Sequence, residues 1–298
     1  MKFILKIYGY LLDKLAFIHD VLRIFTFTHG KLIAKQYKNG EKVFILGNGP
    51  SLKNVLENYT EELSQNNLFC VNGMATTPEY TVLKPKYYIF VDPVLTGLRE
   101  YDVLSEDERI IRKKFIDSFV NKTEWDIVLF LPFSSQYKKW LMDELQKNEH
   151  IKPHFMKSVP SFREEEYIYD LMAKGYVAPQ FQNVLIPAIY VSLIMGYKNI
   201  YLLGADHDWI KDWVVDENNN VIKSDKHFYK DSICEKKSKI DGQLEGLHYH
   251  DMLMSGYRAF WGYHRLQRLA KKMDADIYNC TQGSFIDAFE RKNIADVI

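Results

Sequence analysis

Short apolar runs alternate with helical stretches along the chain, and this alternation restricts the fold more than any other sequence feature. Apolar runs of strand length, each ending at a turn or a polar residue, cover 42–46, 68–71, 87–91 and 126–131. Helical spacing covers 52–64, 106–120 and the strongly apolar stretch 183–195. Because strands that alternate with helices usually pair in parallel, we predict an α/β fold with a doubly wound, mainly parallel, Rossmann-like sheet.

The pattern continues to the end of the chain. A strand over 200–203 ends at Gly204-Ala205-Asp206, a helix covers 256–273, and a further strand covers 276–280. Ser284 stands where a helix cap is expected, which predicts a last helix over 285–291. Without an internal repeat or a low-complexity linker, the sequence predicts one domain over 38–298, preceded by a separate segment over 1–37.

The segment 1–37 has the spacing of an amphipathic helix. Its lysines and arginines outnumber its aspartates by six to two, and its apolar residues recur every three or four positions: Ile4, Tyr8, Leu11, Leu15, Ile18, Leu22 and Phe25. No apolar run reaches the roughly 20 residues that span a bilayer, and no signal-peptide cleavage site follows. We expect this helix to lie on the inner face of the bacterial membrane; packing on its own domain or on a second subunit is the alternative.

The net charge limits the classes of binding partner, and the cysteine content indicates the cellular compartment of the protein. Thirty-nine basic residues balance thirty-nine acidic ones, so no overall field attracts nucleic acid, and we expect no nucleic-acid partner. The cysteines Cys70, Cys234 and Cys280 are far apart and match neither disulfide nor zinc spacing. We expect the cysteines to be small buried apolar residues of a protein in a reducing compartment. The protein is therefore expected in the cytoplasm, peripherally associated with the inner membrane. It could also form a homo-oligomer.

The turn Gly47-Asn48-Gly49-Pro50-Ser51 joins the first predicted strand to the first predicted helix. Glycines allow a close approach of the backbone, and the free amides and positive dipole end of the next helix favour an anion. The turn lacks the third glycine of the dinucleotide fingerprint and the lysine of a P-loop. It predicts either a phosphate-binding turn or a purely structural one.

Polar residues follow three other strands of the predicted sheet. Asn72, Asp92 and Asp206 each stand at or just after the carboxyl end of a strand, where ligands bind in such sheets. The amide of Asn72 suits a base or a ribose, and Asp92 suits sugar hydroxyls or a metal ion. We therefore expect these side chains to converge on one crevice, although each alone could be a turn former.

The length and polarity of the segment over about 207–251 predict a lid. It opens with Asp206-His207-Asp208-Trp209, closes with His248-Tyr249-His250-Asp251, and contains four histidines, His227 among them. Histidine suits general-base work near neutral pH, and a mobile segment can bring it to a substrate. Metal binding by Asp206, Asp208, His248 and His250 is the competing interpretation.

Three stretches together resemble a known family. Phe44 to Lys53 (FILGNGPSLK), Asn72, and Met195 to Asp206 (MGYKNIYLLGAD) are similar to the bacterial sialyltransferases of glycosyltransferase family 42 in residue type, order and spacing. The resemblance covers roughly 42–289. Similar Gly-x-Gly-Pro-Ser signatures occur in a related superfamily of unassigned proteins that includes an archaeal pterin pyrophosphokinase.

The resemblance implies a GT-A-variant fold and transfer of a sialic-acid-like or other ulosonate sugar from a CMP donor to a glycan hydroxyl, with inversion and without a required metal or cofactor. The acceptor would be a glycan or glycolipid of capsule or lipopolysaccharide synthesis. The implied catalytic residues are His250, then His248, with Asp206. The candidate donor-binding residues are Gly47, Asn48, Gly49, Pro50, Ser51, Asn72, Asp92, Asn183, Gly204, Asp208 and Ser284.

Two other functions stay open on the sequence. One is a Mg²⁺-dependent pyrophosphokinase or phosphotransferase in which Asp92, Asp206 and Asp208 hold the metal, because a diphosphate usually recruits Mg²⁺. The other is a catalytically silent membrane scaffold, which would tolerate loss of every histidine named above. A CMP-sugar carries one phosphate, so helix-terminal amides and neutral donors can meet its leaving charge without a metal.

Overall fold

The computed structural model describes residues 8, 14–15, 17–19, 21–26, 28–30, 32, 34–225, 228, 234–238 and 248–298, with the backbone alone described at 223–225 and 234–238. Its strands are β1 (Lys42–Leu46), β2 (Leu68–Val71), β3 (Tyr87–Ile89), β4 (Ile127–Pro132), β5 (Ile151–Met156), β6 (Val159–Ser161), β7 (Val177–Pro179), β8 (Asn199–Leu203), β9 (Val214–Val215), β10 (Val221–Asp225), β11 (Cys234–Ser238), β12 (Asp276–Asn279) and β13 (Glu290–Arg291). The helices numbered here are α1 (Leu52–Ser64), α2 (Glu79–Leu83), α3 (Pro93–Thr96), α4 (Glu106–Lys122), α5 (Lys139–Leu145), α6 (Glu166–Ala173), α7 (Leu185–Met195) and α8 (Tyr249–Lys272).

Eight parallel strands form the central sheet, in the order β13-β12-β8-β1-β2-β3-β4-β5. The chain builds outward from β1 through β2 to β5, and then crosses back to place β8 on the other side of β1. The strand order therefore reverses between β1 and β8, which is where ligands bind in doubly wound sheets. This arrangement confirms the predicted α/β fold with its parallel, Rossmann-like sheet.

Alternate residues of the buried strands face two separate apolar cores. In β1, Val43 and Ile45 pack on the side of α7 and α8, while Phe44 and Leu46 pack on the side of α1 and α4. All eleven residues of α7 are buried, which explains why that stretch is apolar on every side. Cys70 and Cys280 are free and buried as predicted, and burial raises the pKa of the Cys280 thiol to about 12.

The segment predicted as a lid contains more regular structure than its sequence suggests. A 3-10 turn spans Asp208–Asp212, and β9, β10 and β11 form an antiparallel sheet. Val214 and Val215 of β9 are both exposed. The strand therefore lacks the alternation of apolar and polar residues by which a strand is predicted from sequence. His227 lies outside the described residues.

The predicted helix over 285–291 is wrong. The Phe285 amide donates to the backbone oxygen of Asp206, and Glu290–Arg291 pairs with β12 as the edge strand β13. The Ser284 hydroxyl, expected to cap a helix, donates to the backbone oxygen of Ala205 at 2.6 Å and accepts the Ile286 amide at 3.2 Å, without a helix following. Contacts with the end of β8 thus replace the intrahelical hydrogen bonds that local propensity favours.

The described residues between 8 and 26 are helical, in agreement with the amphipathic pattern. Ile24, Leu32 and Ala34 are buried in the core beside α7. Leu22 and Phe25 lie on the outward side, 60% and 73% exposed. Among the described residues, none of the helices combines the length and the hydrophobicity that crossing a bilayer requires.

Candidate functional site

A crevice of about 720 Å³ opens at the carboxyl ends of the central strands. Its volume lies in the range of small-molecule sites. The turns after β1 and β8 form its floor, and the segment 156–160 and the start of α7 form one wall. Of the sequence-predicted site residues, the crevice brings together Asn48, Gly49, Pro50, Asn72, Asp92, Asn183, Gly204, Asp206 and Asp208.

The two floor turns pack backbone against backbone. The Gly47 amide donates to Leu203 and the Gly49 amide to Gly204, at 2.7 and 2.9 Å. A Cβ on Gly47 would lie 2.4 Å from the Gly204 carbonyl oxygen, so no side chain fits there. The glycines of this turn therefore serve the contact with β8. The amides of Gly47 and Gly49 thus already have acceptors within the protein.

Asp206 occupies the amino terminus of α1. Its carboxylate accepts the Ser51 amide at 3.1 Å and the Ser51 hydroxyl at 2.7 Å. Burial raises the pKa of Asp206 above its ordinary value, and the hydrogen bonds from Ser51 oppose that rise. The position that the sequence assigns to a donor phosphate is thus filled by a carboxylate of the protein itself.

Two other helices that begin at the crevice are capped in the same way. The Asp92 carboxylate accepts the Val94 amide at 2.8 Å at the start of α3. The Asn183 side-chain oxygen accepts the amides of Leu185 and Ile186 at the start of α7. These caps satisfy amides that would otherwise be open to a ligand.

Two asparagines that line the crevice have buried side-chain oxygens without a hydrogen-bond donor. Asn48 is 9% exposed, and its amide nitrogen donates to the Val71 carbonyl at 3.1 Å, which fixes the direction of its Oδ1. No described residue bonds the buried Oδ1 atoms of Asn48 and Asn72. Asn72 also has a left-handed backbone with φ 45°, a conformation that asparagine tolerates better than most residues. Buried acceptors without donors call for a ligand that supplies N–H or O–H groups.

His207, which the sequence includes only as part of the lid, lies in the wall of the crevice. Its Nε2 is 2.7 Å from the Tyr263 hydroxyl on α8. Its backbone is left-handed with φ 53°, a strain of about 1–3 kcal/mol that persists where the surroundings enforce it. Burial lowers the pKa of His207 to about 4, so its imidazole is neutral at pH 7. The adjacency of His207 to the Gly-x-Asp strand end is the sequence signal that could have singled it out.

The described lining of the crevice is acidic and partly aromatic. It contains Asp92, Asp206, Asp208 and Asp212, and Lys157 is its one lysine or arginine. Trp209 stacks on Trp213 with ring centroids 4.9 Å apart, and His29 stacks on Phe133 at 3.9 Å. Carboxylates, amides and flat rings together suit a ligand rich in hydroxyl groups.

The remaining candidates stand apart from the crevice. His248 is the N-cap that precedes α8, and the His250 side chain is 79% exposed beside Asp251. Neither histidine is among the residues that line the crevice in the described part of the chain. Gly47, Ser51 and Ser284 lie behind the lining. Within the described ranges, no cluster of three or more His, Cys, Asp or Glu side chains is arranged to hold a metal.

Comparison with known proteins gives a similarity of architecture. No protein-family model matches the chain, and no curated protein sequence matches it. The structure of the MAf glycosyltransferase from Magnetospirillum magneticum AMB-1 matches 91% of this chain at 13% identity and a TM-score of 0.45, and the chain spans 35% of that protein's length. The sialyltransferase CstII from Campylobacter jejuni, solved with the substrate analogue CMP-3FNeuAc, matches 85% of each chain at 14% identity and a TM-score of 0.40. Neither similarity by itself assigns a reaction or a substrate.

Proposed function

We propose that the chain is a glycosyltransferase that moves a sialic-acid-like or related ulosonate sugar from a CMP donor to a glycan hydroxyl. The observation that carries the proposal is the pair of buried, unpaired oxygens of Asn48 and Asn72, which follow β1 and β2. The ribose hydroxyls and the exocyclic amino group of cytidine are hydrogen-bond donors of the kind these oxygens lack. The choice of CMP comes from the resemblance of the turn 47–51 and of the Gly-x-Asp strand end.

The volume of the crevice is compatible with a sugar nucleotide. This volume of about 720 Å³ exceeds the needs of a nucleoside alone. Since Asp206 already caps α1, the donor phosphate must find its positive charge elsewhere. We assign that role to Lys157, the lysine of the described lining, which follows β5 on the opposite wall.

A Mg²⁺-dependent phosphotransferase is the second candidate. It needs Asp92, Asp206 and Asp208 to turn their oxygens to a shared metal. In the structure Asp92 caps α3, Asp206 binds Ser51, and Asp208 lies 3.8 Å from the Lys211 ammonium. Each carboxylate thus has a protein partner, which favours the transferase.

We further propose that the chain works at the inner face of the bacterial membrane, on a glycolipid or membrane-linked glycan of surface polysaccharide synthesis. The support is the outward side of the N-terminal helical residues, where Leu15, Ile18, Leu22 and Phe25 are all more than half exposed. Exposed apolar and aromatic side chains beside lysines are typical of helices that lie in the membrane interface. His29, just after this helix, lines the crevice, so a bound membrane would lie near its mouth.

Ligand-induced thermal stabilisation tests the donor. CMP should raise the melting temperature in EDTA as well as in Mg²⁺. Asn72→Gly removes the side-chain oxygen but keeps the left-handed backbone, and it should abolish most of the CMP shift. Asn219→Gly is the matched control, because Asn219 has the same left-handed backbone, φ 59°, in the exposed β9–β10 turn. Stabilisation by ATP with Mg²⁺ and none by CMP would replace the transferase with the second candidate.

A further inference from the structure

Helix α8 has a second apolar side besides the one that packs on the core. Its inner side buries residues such as Ala259 and Leu266. On another side, Leu253 and Tyr257 are 48% and 61% exposed, and the half-buried Trp261 continues this row one turn later. Four-residue spacing places these three side chains next to one another on the helix surface. A helix that only packs on a core needs one apolar side, so the second side indicates a binding surface.

The aromatic rings on this side share one orientation. The ring planes of Tyr257 and Trp261 lie within 11° of parallel, with centroids 6.1 Å apart. Phe162, which follows β6, is also within 11° of parallel to Trp261, with centroids 6.2 Å apart. Rings that pack for their own sake often meet edge to face. A row of parallel rings suits a ligand that repeats a ring-shaped unit along a chain.

A groove of about 510 Å³ lies along this row, between α8 and the segment 285–287. Its described lining consists of Tyr257, Phe260, Trp261, His264, Phe285 and Asp287. His264 Nε2 is 3.2 Å from a carboxylate oxygen of Asp287, and the two side chains are 55% and 74% exposed. The groove, called the aromatic groove below, therefore combines flat rings with an imidazole and a carboxylate that solvent can reach.

A neutral sugar chain fits this combination. The C–H groups on one side of a pyranose ring can lie on the electron-rich face of an aromatic ring, while its hydroxyls bond to imidazole and carboxylate. Two cations adjoin the groove, Lys211 over the Phe285 ring at 4.5 Å and Arg258 over the Phe162 ring at 5.2 Å. An anionic membrane calls for an excess of cations, and the carboxylate in the groove disfavours it.

The 3-10 turn Asp208–Asp212 connects the aromatic groove to the crevice. Trp209 lines the crevice, and its ring centroid is 6.1 Å from that of Phe260. Lys211, which lies over the Phe285 ring, is 3.8 Å from Asp208, another residue of the crevice. A sugar chain that leaves the crevice across this turn would therefore reach the groove.

We propose that the aromatic groove is a second glycan-binding site, separate from the crevice, and that it takes a stretch of neutral sugars. Under the proposed transferase function, on which this last step rests, the stretch is the part of the acceptor remote from the hydroxyl that receives the new sugar. Binding in the groove holds a long acceptor without contact with the reacting atoms.

Calorimetric titration with chitohexaose, cellohexaose and maltohexaose, without any donor present, tests the site. We expect the full chain to bind at least one of the three, and the paired change Tyr257→Ala with Trp261→Leu to weaken that binding about tenfold. Leucine keeps an apolar side chain at position 261 but has no flat face. Tyr101→Ala is the matched control, because Tyr101 is 57% exposed and lies outside the described lining of both cavities.

Tyr257→Ala alone covers the case in which the paired change unfolds the protein. The Tyr257 side chain is 61% exposed, so its loss should leave the melting temperature unchanged and weaken hexasaccharide binding about threefold. Saturation-transfer spectra give an independent measurement. Irradiation of the aromatic protons should transfer saturation to the C–H protons of the bound sugar, and the paired change should remove most of that transfer.

Three results would overturn the proposal. One is the failure of all three hexasaccharides to bind. Another is binding that the paired change leaves intact, since the sugar would then lie elsewhere. The third is binding to phosphatidylcholine–phosphatidylglycerol vesicles, or self-association, that depends on Tyr257 and Trp261 while no hexasaccharide binds.

The CMP experiment separates this proposal from the proposed function. If CMP stabilises the protein and no hexasaccharide binds, the transferase stands and the aromatic groove loses its role. If a hexasaccharide binds through Tyr257 and Trp261 while CMP neither binds nor serves as donor, the transferase fails and the glycan-binding site stands.

Discussion

The Asp206 carboxylate binds both the amide and the hydroxyl of Ser51, at 3.1 and 2.7 Å, across 155 positions of sequence. This contact ties the end of β8 to the start of α1 at the point where the strand order reverses. It also places a partly buried acidic group where the sequence predicts an anion of the substrate. Its pKa is raised, so it affects stability in a pH-dependent way.

Asp206→Asn should be at least as stable as the wild type at pH 7. A carboxyl whose pKa is raised in the folded state favours folding when protonated, and this stabilisation is lost as pH rises from about 4 through the raised folded value. Asparagine keeps an oxygen for the Ser51 amide and stays neutral. Urea unfolding at several pH values should show the difference from wild type shrinking toward pH 4. A constant difference would mean that the charge of Asp206 has no part in it.

His207 should make the folded protein less stable in mild acid. Its pKa is near 4 when folded and about 6.5 in an unfolded chain, so the unfolded state binds more protons between these values. The free energy of unfolding should therefore fall as pH drops from about 6.5 to 4, with a slope that corresponds to the uptake of at most one proton on unfolding. In His207→Asn that part of the slope should disappear. An identical slope in both proteins would show that His207 titrates normally.

Gly204→Ala should destabilise the protein severely. Gly204 has a left-handed backbone, φ 62°, and a Cβ there would lie 2.6 Å from the Gly47 carbonyl oxygen. Gly283→Ala is the matched control, because Gly283 has φ 73° and a Cβ there would meet nothing within 4 Å. We expect about 1 kcal/mol for Gly283→Ala and at least about 2–3 kcal/mol more for Gly204→Ala. Equal losses by chemical denaturation would show that the two floor turns can move apart.

Lys157→Met should weaken binding of CMP by about tenfold and leave binding of cytidine unchanged, because only CMP carries the phosphate. Lys174→Met on the exposed end of α6 removes the same charge away from the crevice and should change neither affinity. Calorimetric titration of both ligands measures the comparison. Equal weakening of CMP and cytidine would place Lys157 at the nucleoside instead.

The outward side of the N-terminal helical residues can be separated from its packed side. Leu22 and Phe25 are exposed and Ile24 is 6% exposed, so the paired change Leu22→Ser with Phe25→Ser should reduce binding to anionic vesicles without lowering the melting temperature. Ile24→Ala should keep vesicle binding and lose about 2–4 kcal/mol of stability. If the serine pair instead dissociates an oligomer, the outward side is a subunit interface. Unchanged vesicle binding would remove the membrane proposal.

Elements that are stabilised by local signals could be predicted from the amino-acid sequence. The limits of β1, β2 and α1 agree with the residues expected, because short apolar runs between turn residues and 3.6-residue spacing are local signals. Because ligands bind at the carboxyl ends of parallel strands, the same signals also predicted that Asn48, Asn72 and Asp206 lie around one crevice.

The hydrogen-bond partners of those residues depend on tertiary packing and could not be predicted. Ser51 and Asp206, and likewise His207 and Tyr263, meet through the sheet and α8, and no spacing along the chain encodes either pair. A contact that is distant in sequence also explains why the helix predicted at 285–291 is absent: the Phe285 amide donates to the backbone oxygen of Asp206. The hydrogen-bond partner of a polar group is determined by which elements pack within hydrogen-bond distance of it. For these residues, that requires the ends of β1 and β8 to lie side by side.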